Sequence, residues 1–127
     1  GIYCAAMDAR RNQVYTAVFS MGNGELSRLT EDLAISVEEL GEILKNEEKC
    51  KMLVGDGAVL CYNKLNMSVS GLRLLPEHLR MQRASGVALL AWDQMQKGIR
   101  PSGNDLVPNY LRLSQAERER LNKEKME

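Results

Sequence analysis

Residues 4–26, CAAMDARRNQVYTAVFSMGNGEL, hold two apolar runs with Asp8, Arg10, Arg11 and Asn12 between them. The run 2–8 is apolar on both faces, the pattern of an inner strand. Residues 13–21 are rich in β-branched and aromatic side chains, the composition of a second strand. The link between them is short, and Asn12 tolerates a left-handed backbone, so the two runs make a hairpin. A turn at Gly22-Asn23-Gly24 leads to a more polar run near 25–30, whose alternation reads as a solvated edge strand.

The period then changes. Ser36 with Glu39 is a capping box opening a helix near 37–47, with Val37, Leu40, Ile43 and Leu44 as its apolar stripe. A short strand at 51–55, a brief helix at 58–65 and a strand at 72–75 closed by Pro76 follow. Residues 79–97 read as the longest helix, with Ala84, Val87, Ala88, Ala91 and Met95 on one face and Gly98 ending it. Its small residues let it approach a sheet closely. The run LVPNYLRL, 106–113, reads as a final strand that Pro108 places at an edge or bulge. Ser114 with Glu117 is a second capping box, opening a charged helix in which only Ala116 and Leu121 are apolar. The expected organisation is one folded unit over 1–113 and a charged helical tail over 114–127.

Three antiparallel strands followed by α-β-α-β-α require right-handed crossovers and parallel strands. The expected fold is therefore α/β with a mixed sheet and helices on its faces. That order is shared by the ribonuclease-H-like βββαβα fold, one lobe of the actin-like sugar-kinase architecture, here with an extra C-terminal strand and helix. Fold order by itself carries no activity.

The bulk composition excludes several classes. With 127 residues, one domain is favoured. Seventeen basic residues balance 17 acidic ones, so no global field draws the chain to nucleic acid or a membrane. Cys4, Cys50 and Cys61 lack C-x-x-C spacing and read as free thiols of a cytoplasmic protein. The single His78 has no evident Ser, Cys or metal-ligand companion, so neither a triad nor a metal site is expected. No apolar run is long enough to cross a bilayer, and nothing resembles a signal peptide.

Three segments carry a family resemblance. AAMDARRNQVY (5–15) resembles the Asp-Ala-Arg, short turn, Val-Tyr segment that opens the second lobe of the TsaB (YeaZ) family. VPNYLRLSQAERER (107–120) resembles that family's C-terminal Pro-x-Tyr-Leu-Arg element with its charged continuation, and LVGDGA (53–58) is similar to its strand-to-helix Gly-x-Gly turn. The resemblance implies the C-terminal lobe of an actin-like, non-catalytic protein of the bacterial machinery that makes N6-threonylcarbamoyladenosine in tRNA. It implies a TsaD-like catalytic subunit and a TsaE-like ATPase as partners, reached through the full-length protein, and tRNA only via the complex. It implies no cofactor and no activity of the chain's own; the older glycoprotease label for relatives finds no supporting residues. The family's first lobe, which carries much of the known partner and self-dimer surface, is absent from these residues. Self-association of the isolated lobe is expected if apolar surface is thereby exposed.

Asp8 has three readings. It accepts hydrogen bonds from backbone N–H groups and shapes the hairpin turn; or it joins Arg10 and Arg11 in a tip that contacts a partner or a phosphate; or it is a ribonuclease-H-type carboxylate. The last requires Asp56 and one of Glu38, Glu39 or Glu42 to clamp Mg²⁺ beside it, giving a metal-dependent nuclease. A stand-alone dimerisation module is a further alternative. Gly55, Asp56 and Gly57 are candidates for a phosphate-cradling turn at a helix start, against the plainer role of a tight strand-to-helix connection.

Overall fold

The computed structural model describes residues 1–113 together with Glu117, Arg120, Lys123 and Glu124. Six strands form one sheet in the order β3-β2-β1-β5-β6, with β4 also paired to β2. They are β1 (Ile2–Asp8), β2 (Gln13–Gly22), β3 (Glu25–Arg28), β4 (Leu33–Ser36), β5 (Lys51–Val54) and β6 (Leu72–Leu74). The helices are α1 (Val37–Lys45), α2 (Ala58–Leu65), α3 (Glu77–Arg80) and α4 (Ala84–Gln96). β1 pairs antiparallel with β2 and parallel with β5, and β5 pairs parallel with β6. The hairpin half and the crossover half of the sheet thus meet at β1.

The outer edge of β2 is covered in two pieces. β3 pairs with Phe19–Gly22 through a two-residue Asn23-Gly24 turn in which both residues have positive φ, the geometry that matches strand twist. β4 pairs with Gln13–Thr16. Between them Thr30 spans the gap, its Oγ1 accepting from Val18 N–H at 2.9 Å while Leu29 N–H donates to Val18 O at 2.8 Å. The third strand expected near 25–30 therefore ends at Arg28, and β4 is an addition. Its signal was the alternating Leu33 and Ile35 ahead of the Ser36 cap.

One face of the sheet is closed. Ile2, Cys4 and Ala6 of β1, Val14 and Val18 of β2 and Leu53 of β5 bury against Val37, Leu40 and Leu44 of α1 and Ala58, Cys61 and Leu65 of α2. The expected stripe of α1 is this contact, and the Ser36–Glu39 capping box forms as expected. A Cβ on Gly41 would come 2.7 Å from the Leu65 side chain, so the glycine lets α1 and α2 close up. Lys51 is 1% exposed, yet its ammonium donates to Lys49 O at 3.1 Å and Ser70 O at 3.0 Å. Those two carbonyls satisfy a buried cation and tie the loop that enters β5 to the loop that follows α2.

Two expectations change beyond α2. The helix expected over 79–97 is broken: α3 ends at Arg80, Met81 and Arg83 are extended, and α4 starts at Ala84. It does not pack on the sheet; every residue of α4 is exposed. The strand expected over 106–113 does not form. Residues 109–112 lie over the face of the sheet, beside Tyr15 and Phe19. A segment laid on a face has no edge with which to build a ladder. The charged helix expected over 114–127 falls largely outside the described residues; of those described there, Arg120 and Glu124 form an i,i+4 ion pair at 3.0 Å.

Burial pushes the Cys4 thiol up to about 11, partly offset by its contact with Thr16 Oγ1, and pushes Cys61 up to about 12. Cys50 is only partly buried. At pH 8 iodoacetamide is expected to modify Cys50 alone in the folded chain and all three thiols after unfolding, a difference that intact mass reads directly.

Candidate functional site

The sequence candidates gather at one end of the sheet, where β1 and β5 finish side by side. Asp8 ends β1. Its Oδ1 accepts from Arg10 N–H at 2.7 Å, and its own N–H donates to Asp56 Oδ1 at 3.1 Å. The turn beyond is unusual: Arg10, Arg11 and Asn12 all lie in the left-handed region, at φ 65°, 54° and 59°. Each such non-glycine residue costs of order 1 kcal/mol, so the surroundings must hold it. Gln13 N–H donates to Arg10 O at 3.0 Å, Ala9 N–H to Gln13 O at 2.9 Å, and Val37 N–H at the start of α1 to Asn12 O at 3.0 Å. From 103 residues away, Arg112 donates through Nη1 to Ala9 O at 2.7 Å.

The Gly55-Asp56-Gly57 turn presses against the same strand end. Gly55 has φ +97°, and a Cβ there would collide with Ala6 O. A Cβ on Gly57 would come 3.0 Å from Asp8 N. The amide of Gly55 donates to Arg80 O at 2.7 Å and that of Gly57 to Ala6 O at 2.9 Å. These glycines are required by the close approach of two backbones, and their N–H groups are engaged within the chain. Asp8 and Asp56 are brought together, but through a backbone amide of one and a carboxylate of the other.

The helical carboxylates point elsewhere. Glu38 takes Lys64 Nζ at 3.1 Å, Glu39 accepts Ser36 N–H at 2.8 Å, and Glu42 takes Lys45 Nζ at 2.7 Å. Backbone hydrogen bonding at the start of α1, with Lys64 second, holds Glu38 below the usual carboxylate range; the Ser36 amide does the same for Glu39. Among the described residues no group of three or more His, Cys, Asp or Glu side chains is placed to hold a metal ion. The carboxylate set that a ribonuclease-type reading needs is not assembled.

What remains outward is basic. The Arg10 side chain is 88% exposed, with Nη1 3.7 Å from Asp8 Oδ2, and Arg11 is exposed beside it. An ion pair so open to water contributes little to stability. The tip is a hydrogen-bonded backbone presenting two exposed arginine side chains.

A second feature lies on the open face of the sheet. A groove of about 520 Å³ runs over Ala5, Met7, Tyr15, Ala17 and Phe19, walled by residues 109–112. Arg28 stacks over Phe19 at 4.9 Å from the ring centroid and pairs with Asp32 at 2.7 Å on the rim. Sequence reasoning did not single out this groove. The signal was the apolar character of both faces of β1, which was read as cover by a helix.

No family model matches the sequence. Over 121 residues the chain is 28% identical to the tRNA threonylcarbamoyladenosine biosynthesis protein TsaB of Bacillus subtilis, a match covering 92% of this chain and 50% of that protein. Two solved structures from Pseudomonas aeruginosa share its fold. One, described as an uncharacterized protein with similarity to peptidase YEAZ, superposes with a TM-score of 0.64 at 19% identity, covering 87% of this chain and 49% of the other. The second, YeaZ itself, gives 0.63 at 18% identity with the same coverages. The mixed α/β sheet with its hairpin-then-crossover order matches the fold of these two structures. The chain is thus similar to one half of a TsaB protein, and spans about half the length of the curated relative it matches.

Two substitutions test this corner. Gly55→Ala forces a side chain into the Ala6 carbonyl at a positive φ and is expected to cost about 2–3 kcal/mol in denaturant unfolding. Asp8→Ala removes the acceptor for Arg10 N–H and is expected to cost about 1–2 kcal/mol, whereas Asp8→Asn, which keeps an oxygen there, costs roughly half as much.

Proposed function

We propose that the chain is the C-terminal half of a TsaB-type scaffold serving tRNA threonylcarbamoyladenosine biosynthesis in the cytoplasm, with no active site of its own. The observation that carries this reading is the 28% identity to Bacillus subtilis TsaB across 92% of the chain. The geometry supports it in a specific way. Asp8 and Asp56 are engaged with backbone at the end of β1, the glutamates of α1 are directed to caps and lysines, and the Gly-x-Gly amides are already bonded.

In this reading the chemistry belongs to a TsaD-like catalytic subunit, with a TsaE-like ATPase joining the assembly. This lobe supplies shape and charge. Arg10 and Arg11 on their fixed turn are the groups suited to bidentate contact with carboxylates of a partner or with tRNA phosphate. Because the turn's backbone is held from four directions, such contacts order only the two side chains.

Two measurements on the whole reading frame test the proposal. Tagged protein is expected to retain a TsaD-like subunit through purification, and Arg10→Glu with Arg11→Glu is expected to weaken retention at least tenfold without altering the thermal midpoint. Depletion of the protein is expected to remove the threonylcarbamoyl group from tRNA, read by nucleoside mass spectrometry. Unchanged tRNA after depletion overturns the assignment.

A further inference from the structure

We propose that Arg112 is a positioning residue for the basic tip: with Asp8 it clamps the peptide plane between Ala9 and Arg10 in one orientation. Its functional consequence rests on the reading of Arg10 and Arg11 as contact groups; the clamp itself does not. One planar unit carries the Ala9 C=O and the Arg10 N–H. Its carbonyl accepts from Arg112 Nη1 at 2.7 Å, and its amide donates to Asp8 Oδ1 at 2.7 Å. The neighbouring planes are tied differently. Ala9 N–H donates to Gln13 O at 2.9 Å and Arg10 O accepts from Gln13 N–H at 3.0 Å, so backbone bonds across the hairpin hold the planes on either side. Among the described residues, the plane between them is held by two side chains, a carboxylate at one end and a guanidinium at the other. The stretches 5–15 and 107–120, far apart in the chain, thus meet at a single peptide unit.

The clamp has strain to oppose. Turning the plane over changes ψ of Ala9 and φ of Arg10 by about 180° each, which carries Arg10 from φ 65° to about −115°, out of the left-handed region and into the broad β region that L-residues prefer. Local preference therefore favours the turned-over form. The two side chains oppose it by charge. In that form the carbonyl faces the Asp8 carboxylate, acceptor against acceptor, and the amide faces the Arg112 guanidinium, donor against donor. Ala9 is 7% exposed, so a carbonyl there that loses Arg112 has little access to water in its place. Without the guanidinium the balance passes to the backbone preference. The amide then leaves Asp8, whose carboxylate is left to the Arg10 guanidinium, already 3.7 Å from Oδ2. Arg112 thus keeps Asp8 engaged with backbone and the Arg10 charge available to a partner.

Nuclear magnetic resonance reads the plane without any partner, because the Arg10 amide-to-Hα cross-peak is strong at positive φ and weak at negative φ. In the parent chain it is expected to be strong. Arg112→Met keeps an unbranched stem and loses the donors. It is expected to weaken the cross-peak to the level of an extended residue and to speed exchange of the Arg10 amide about tenfold, the loss of a charge-assisted hydrogen bond, with amide shifts of the sheet core unchanged. Arg112→Lys, which returns a charged donor, is expected to restore both. In the whole reading frame, Arg112→Met is expected to lower retention of the TsaD-like subunit about tenfold, as for a competent geometry reduced to about a tenth of the population, and Arg112→Lys is expected to retain it. A strong Arg10 cross-peak in Arg112→Met overturns the clamp. So does an Arg112→Lys chain that matches Arg112→Met, or a change of shifts spread through the core. Retention lost with Arg10→Glu and Arg11→Glu but unmoved by Arg112→Met overturns the positioning role while the contact reading stands. Retention unmoved by all three substitutions overturns the contact reading and the positioning role with it, and the cross-peak alone then decides the clamp.

Discussion

The structure depends on the contact between two backbones where β1 ends and β5 turns into α2. Gly57 N–H donates to Ala6 O, and the Asp56 carboxylate takes the amide of Asp8. This joins the hairpin half of the sheet to the crossover half at the one place where chain direction changes from antiparallel to parallel pairing. Side chains cannot occupy the space between those backbones, which is why glycine stands at 55 and 57. The same contact fixes where β1 stops, and so where the Arg10-Arg11 tip begins. The position of this basic tip is set by a packing requirement of the interior.

The sheet is two-sided in very different senses. Its closed face carries nearly the whole core, with α1 and α2 interlocked through Gly41 and Leu65. Its open face is apolar too, and among the described residues, 109–112 lie over it. A sheet apolar on both faces is incomplete until something flat and apolar covers the second.

Local signals made the first two-thirds of the chain legible in its sequence. The hairpin followed from β-branched runs about Asn12, α1 from Ser36 and Glu39, and the β5-α2 connection from Gly55 and Gly57. Each depends on chemistry within a few residues. The failures lie where tertiary context decides. β4 is four residues long and its boundary is set by Thr30 reaching Val18. α3 and α4 share a continuous helical pattern, and the break at Met81–Arg83 has no glycine or proline to announce it. LVPNYLRL has strand composition, but no free ladder meets it. At the site, the turn role of Asp8 was readable from Asn12 and the short link, whereas the reach of Arg112 to Ala9 across 103 residues was not.

The broken margin along β2 has a consequence for how the molecule meets others of its kind. Because β3 and β4 are four residues each, with Leu29–Asp32 bulging between them, no unpaired row of amides and carbonyls runs the length of the sheet's outer border. An incoming extended peptide would lose register within one short stretch, which is the usual protection against runaway fibre growth. The lobe can thus carry an oily surface on its flat side while the border along β2 resists strand addition.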